Sequence, residues 1–330
     1  MTNTTIAAAT NNGSAVHSRP QWAFFQGQIV PIDQAKVSVM TNALHYGTAA
    51  FGGIRGYWND DEQQLFVFRP LDHFTRVLQS ARLLLMDIPY TPEQLTEILL
   101  ELLRRENFHE DVYIRPLIYK STEGTGVRLH DLDCDLTIFA EPQGDRHGKR
   151  EGLRVCVSSW RRVDDNAIPA RGKVAGAYVN SALIKTDAVL NGYDDALVLT
   201  QDGHVAEGSA ANFFMVRNGV AITPPITANI LEGITRRTVM ALLSEQLGVT
   251  VVERDIDRSE LYIAQEAFFT GTGAQVAAIS EIDHRPVGTG QTGPITARLL
   301  TLFNAMVRGR VPAYRDWNQP VYTTEPAAAD

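Results

Sequence analysis

The stretch from Arg171 to Val216 narrows the possible folds more than any other part of the chain. It sets one lysine, Lys173, among Gly172, Ala175, Gly176 and Ala177, just ahead of a helix whose pattern begins near Tyr178. A strand over Ala196 to Thr200 follows, then Asp202-Gly203, a pair that tolerates positive φ and so marks a hairpin. The returning strand carries Glu207 back beside the lysine. Small residues leave room for a flat ligand against the backbone, and a lysine partly desolvated there can lose its proton. Such a lysine can form Schiff bases. A solvated lysine in a glycine-rich loop is the plainer reading, and Glu207 is what tells against it.

A Schiff-base lysine with a carboxylate that keeps a pyridine nitrogen protonated is the minimum equipment for pyridoxal phosphate (PLP) chemistry. Lys173 to Ser181 reads K-x-x-G-x-Y-x-x-S, and Glu207 to Phe214 reads E-G-x-x-x-N-x-F. On these motifs the chain resembles the class IV (fold type IV) PLP-dependent aminotransferases, most of all the branched-chain amino acid aminotransferases. The resemblance runs from about Trp22 to about Arg308. It implies a two-domain α/β (α+β) fold with PLP at the domain interface, in a homodimer or higher homo-oligomer whose pockets borrow residues from the neighbour. It also implies that Lys173 is catalytic and holds the cofactor, that Glu207 keeps its ring nitrogen protonated, and that Tyr178 bonds its phenolic oxygen. The implied reaction passes the amino group of leucine, isoleucine or valine to 2-oxoglutarate by a ping-pong mechanism.

Other segments take their roles from the same resemblance. Glycines and aromatics crowd together over His45 to Tyr57, either to admit a ligand or to pack a sheet; the resemblance implies that Tyr46, Phe51 and Arg55 bind substrate. Leu71, Phe74, Leu78, Ala81 and Leu85 recur at helical spacing after Pro70 and predict a buried stripe. Arg76 then falls on the polar face, four residues after Asp72, as in a solvated ion pair; its place in H-x-x-R resembles the family's phosphate-binding arginine instead. Thr91-Pro-Glu-Gln94 is a capping box that starts a helix with Leu95 and Leu99 inward. Val112 to Tyr119 alternates as a strand, so Tyr113 and Arg115 share a face that suits a carboxylate or is simply polar. The family's Y-I-R-P-L, matched here, implicates both in substrate binding, as the resemblance implicates Val127.

Leu231-Glu-Gly-Ile-Thr-Arg-Arg237 feeds a helix whose start offers free N–H groups and a positive dipole end. Thr270-Gly-Thr-Gly273 forms a second Gly/Thr turn after a strand. Both resemble the family's phosphate site, which implies cofactor contacts at Leu231, Gly233, Ile234, Thr235 and Thr272, and substrate contacts at Thr272, Gly273 and Ala274. Pro294 to Met306 is a last amphipathic helix.

A length of 330 residues predicts two domains. The expected organisation is a tail over 1–20, a small α/β domain over 21–141, a loop over 142–152, a larger PLP-binding domain over 153–322 and a tail over 323–330. A net charge of −8 without a basic run speaks against nucleic-acid or anionic-membrane partners. The two cysteines, Cys134 and Cys156, lie in apolar alternating segments and predict buried thiols and a cytoplasmic setting. No metal site is expected. Three positions depart from the branched-chain pattern: Gly52 stands where the family has Glu, Gly144-Asp-Arg146 replaces its G-x-Y, and Thr125 replaces an aliphatic residue. Loss of a carboxylate at Gly52 is expected to make room or reduce charge in the pocket region, and to broaden the donor range toward (R)-amines. The alternatives are an (R)-selective amine or D-amino acid transaminase, an aminodeoxychorismate lyase, and a non-catalytic relative.

Overall fold

A computed structural model describes residues 19–144 and 152–322. Arg146 and nearly all of both expected tails lie outside the described residues. The first seven strands are β1 (Trp22–Phe25), β2 (Gln28–Pro31), β3 (Ala49–Phe51), β4 (Ile54–Asn59), β5 (Gln64–Phe68), β6 (Val112–Lys120) and β7 (Cys134–Pro142). Then come β8 (Leu153–Arg161), β9 (Asp195–Leu199), β10 (Val205–Gly208), β11 (Asn212–Arg217), β12 (Val220–Thr223), β13 (Val251–Glu253), β14 (Glu266–Gly271) and β15 (Gln275–Ile282). Short strands β16 (Arg285–Pro286) and β17 (Asn318–Pro320) finish the series.

These strands make two sheets. One is eight-stranded, ordered β17-β5-β4-β6-β7-β1-β2 with β3 beside β6; the other is nine-stranded, ordered β10-β9-β8-β15-β14-β11-β12-β13 with β16 beside β15. Alternation along β6 buries Val112, Ile114 and Ile118 and turns Tyr113 and Arg115 to the opposite face, as a period of two requires. Asn218 and Gly219, at φ 51° and 76°, form the hairpin between β11 and β12. The last strand, β17, crosses back to close the β5 edge of the first sheet.

Helices α1 (Asn42–Tyr46), α2 (Pro70–Leu83) and α3 (Pro92–Glu106) belong to the first half, and α4 (Tyr178–Leu190), α5 (Ile234–Ala241) and α6 (Pro294–Val307) to the second. The capping box of Thr91 and Gln94 starts α3, whose Leu95, Leu99, Leu102 and Leu103 are all buried. The face of α2 differs from the expected stripe: Phe74 and Ala81 are buried, but Leu71 and Leu85 are 47% and 62% exposed. Leu85 falls beyond the helix end in a left-handed conformation, φ 50°, and the inward positions go instead to His73, Val77 and Ser80. Tyr57 and Phe68 of the first sheet pack in one cluster with Phe214, Phe268 and Phe303 of the second half, so the halves share a core. Cys134 and Cys156 are free and only partly buried. Among the described residues no helix is long and apolar enough to cross a membrane.

Candidate active site

Between the two sheets lies a cavity of about 300 Å³. Lys173 reaches it from a segment pinned on two sides. The backbone N–H of Lys173 donates to Ser80 Oγ of α2 at 3.1 Å, and its carbonyl accepts from Phe51 N of β3 at 3.0 Å. Ser80 Oγ in turn donates to Arg76 O at 2.8 Å, which explains a polar residue on the inward face of α2. The Lys173 amine donates to the Tyr178 hydroxyl and sits 4.9 Å from the ring centroids of both Phe51 and Tyr178. Protein encloses it while part of the side chain stays open to the cavity. That enclosure, with the Arg76 guanidinium nearby, brings the amine down to about 7. Burial and the Glu207 charge push the Tyr178 phenol up to about 12.

Glu207 approaches from β10, paired antiparallel with β9 as the hairpin reading required. It is buried, and Arg162 Nη2 meets its carboxylate at 2.9 Å. Asn212 Nδ2 also donates to it at 2.9 Å, and Leu231 N at 3.3 Å. Burial raises the Glu207 carboxyl above its ordinary value, and Arg162 is the main force holding it down.

At another wall, α5 begins after Gly233 with no side-chain cap, so its first N–H groups stay free at Ile234 and Thr235, which line the cavity. Arg76 lies beside them; burial lowers its guanidinium to about 10, and its Nε has no partner. Asp72 does not pair with it. That carboxylate bonds Arg69 at 2.9 Å and Arg237 at 3.2 Å, so the solvated Asp72–Arg76 pair expected from spacing is not formed. His73, fully buried beneath these cations, is held neutral, its imidazolium lying well below the usual range. Thr272 Oγ1 donates to Gly53 O at 3.0 Å and ties the β14–β15 turn to the first sheet.

Phe51, Tyr113 and Arg115 form a third wall. Arg115 Nη2 donates to the Tyr113 hydroxyl at 3.0 Å, and its guanidinium covers the Phe51 ring at 4.6 Å. Leu231, Gly233 and Gly273 also line the cavity. Tyr46, Arg55, Val127 and Ala274 do not. Tyr46 and Val127 are 38% and 89% exposed on the outside, whereas Arg55 is buried and donates through Nη2 to Gln143 O at 2.6 Å. Gly52 is a correction: a Cβ there would point at Pro116 Cγ, 2.6 Å away, and Val77 Cγ2, 2.9 Å away, inside the first half. Its missing carboxylate therefore opens nothing in the cavity. Sequence reasoning missed Arg162, which no local pattern singles out, and gave no role to Asn212, although it stands in the E-G-x-x-x-N motif.

Comparison with known proteins agrees with this architecture. The sequence model for amino-transferase class IV matches residues 54–282. An Aquifex aeolicus relative is 50% identical over 91% of this chain and 97% of its own. The branched-chain aminotransferase of Thermoproteus uzoniensis, solved with norvaline, superposes with a TM-score of 0.88 at 41% identity, covering 92% of this chain and all of that one. The branched-chain amino acid aminotransferase of Thermobaculum terrenum, solved in its PLP-form, gives a TM-score of 0.88 at 39% identity over 92% of this chain and 99% of that one. With family, sequence relatives and fold in agreement over nearly its whole length, the chain belongs to the class IV aminotransferases.

Proposed function

We propose that this chain is a PLP-dependent transaminase that moves the amino group of leucine, isoleucine or valine to 2-oxoglutarate. The observation that carries the reading is the convergence of Lys173, poised near neutrality, and the Glu207–Arg162 pair in one cavity. The residues present fit the cofactor. Arg76 offers a buried, unpartnered Nε, and α5 offers uncapped N–H groups for a phosphate. Glu207 offers a carboxylate for a pyridinium N–H, and Lys173 an amine able to lose its proton. When bound, PLP supplies an electron-accepting ring.

Each residue then has a task. Lys173 holds the cofactor and moves the proton of the substrate α-carbon, which an amine near its pKa does best at neutral pH. Tyr178 fixes that amine and bonds the cofactor's phenolic oxygen. Glu207 keeps the ring nitrogen protonated, and Arg162 keeps Glu207 ionised. Arg76, Ile234, Thr235 and Thr272 hold the phosphate, with Leu231 and Gly233 shaping the floor. Phe51 contacts the substrate side chain, Tyr113 and Gly273 receive its α-carboxylate, and Arg115 receives the second carboxylate of 2-oxoglutarate. We further propose two domains, 21–141 and 153–322, and a cytoplasmic homodimer. In that dimer Tyr46 and Val127 reach the neighbour's cavity, consistent with their exposure beside Val39 and Leu44, 77% and 63% exposed.

A donor panel with 2-oxoglutarate tests the activity. L-Leucine, L-isoleucine and L-valine should be the fastest donors, with D-amino acids and (R)-1-phenylethylamine far behind. An inert L-leucine with the amine fastest would replace this reading by an amine transaminase, and pyruvate release without amino transfer would replace it by a lyase.

A further inference from the structure

Gln143 follows β7 where that strand leaves the first sheet, and its side chain is odd for its place. The residue is only 3% exposed and lines the cavity, yet neither Nε2 nor Oε1 has a partner. Its backbone is fixed, its N–H donating to Asp111 O at 2.8 Å and its carbonyl accepting from the buried Arg55 at 2.6 Å. Arg115, on the adjacent β6, likewise lines the cavity with a buried, unpartnered Nε. A buried donor without an acceptor is costly, and native proteins hold few of them. Two of them on one wall call for an oxyanion.

We propose that Gln143 is a specificity-determining residue whose amide, together with the Arg115 guanidinium, receives the distal carboxylate of 2-oxoglutarate and glutamate. The inference rests on the aminotransferase reading above. An aliphatic side chain leaves both donors unpaired, whereas a second carboxylate satisfies both, so this wall separates the two substrates of one cavity.

Gln143→Met keeps the length of the side chain and removes the amide. In the holoenzyme the ratio of kcat/KM for the L-glutamate half-reaction to that for L-leucine should fall about tenfold, the scale of one hydrogen bond to a charged group. Gln143→Glu, nearly isosteric, should lower the ratio further by repulsion, and it carries the test if the Met variant does not fold. Calorimetric titration with glutarate and 4-methylpentanoate needs no turnover and should show the same tenfold loss in relative affinity for the dicarboxylate. Equal losses for both ligands, or an unchanged ratio, would overturn the assignment. Failure of the wild type to transaminate leucine would sink the aminotransferase reading alone, because the calorimetric ratio still decides on Gln143.

Discussion

Lys173 is a cation placed where cations are unwelcome, and two measurements follow. Its amine titrates near 7 in the folded protein against an ordinary 10.5, so between those values the unfolded chain holds a proton the folded chain has released. Stability of the cofactor-free protein should therefore rise with pH across that window, and below it the full cost of the buried charge is present. Urea denaturation at several pH values should show this slope in the wild type and lose it in Lys173→Met; parallel curves would deny the shift. The same substitution should lower transamination by roughly a thousandfold or more. Arg162 acts on Glu207 in the opposite sense. Burial raises the Glu207 carboxyl and Arg162 lowers it, so Arg162→Met should raise it further. The ionised form is then lost at higher pH, and the acid limb of the kcat profile should move upward. An unmoved limb would mean that another group supports the ring nitrogen.

At the level of elements, the phosphate end joins α2 to the start of α5. Arg76→Ala should weaken retention of PLP strongly and of pyridoxal little, as dialysis followed by absorbance would record; equal losses would place Arg76 elsewhere. Gly52→Glu, which restores the family's residue, meets Pro116 and Val77 rather than the cavity. It should cost about 1–3 kcal/mol of stability by overpacking and leave the donor range unchanged. A stable variant with narrowed donors would return Gly52 to the pocket. Lys173, Glu207 and the two Gly/Thr turns were legible because each sits in a short motif whose local structure the motif itself dictates. Arg162 was not, since it meets Glu207 only through the parallel β8–β9 pairing and the β9–β10 hairpin, which join residues far apart in the chain. The face of α2 differs from the expected stripe because several stripes satisfy one helical period, and polar His73 and Ser80 take inward positions that serve the site. The resemblance alone points Arg55 toward substrate, while its burial against Gln143 is set by strands that pairing alone brings together.

For the whole molecule, the exposed apolar group of Val39, Met40, Leu44 and Val127 is where a second copy is expected to bind. Leu44→Glu should shift sedimentation from dimer to monomer and reduce activity with it, because Tyr46 and Val127 then reach no cavity. A monomeric wild type of full activity would show that one chain suffices. The return of β17 to the β5 edge has a consequence for biosynthesis. Asn318, Gln319 and Pro320 pair with Phe68, Val67 and Phe66, and Arg104 Nε donates to Val321 O at 2.7 Å, clamping the segment onto α3. A nascent chain that has already made the apolar β5 must carry its unpaired edge while the whole second half is still being translated. On the ribosome the first sheet is thus finished last, and a stalled or nicked chain lacking only this strand would offer that edge to its neighbours.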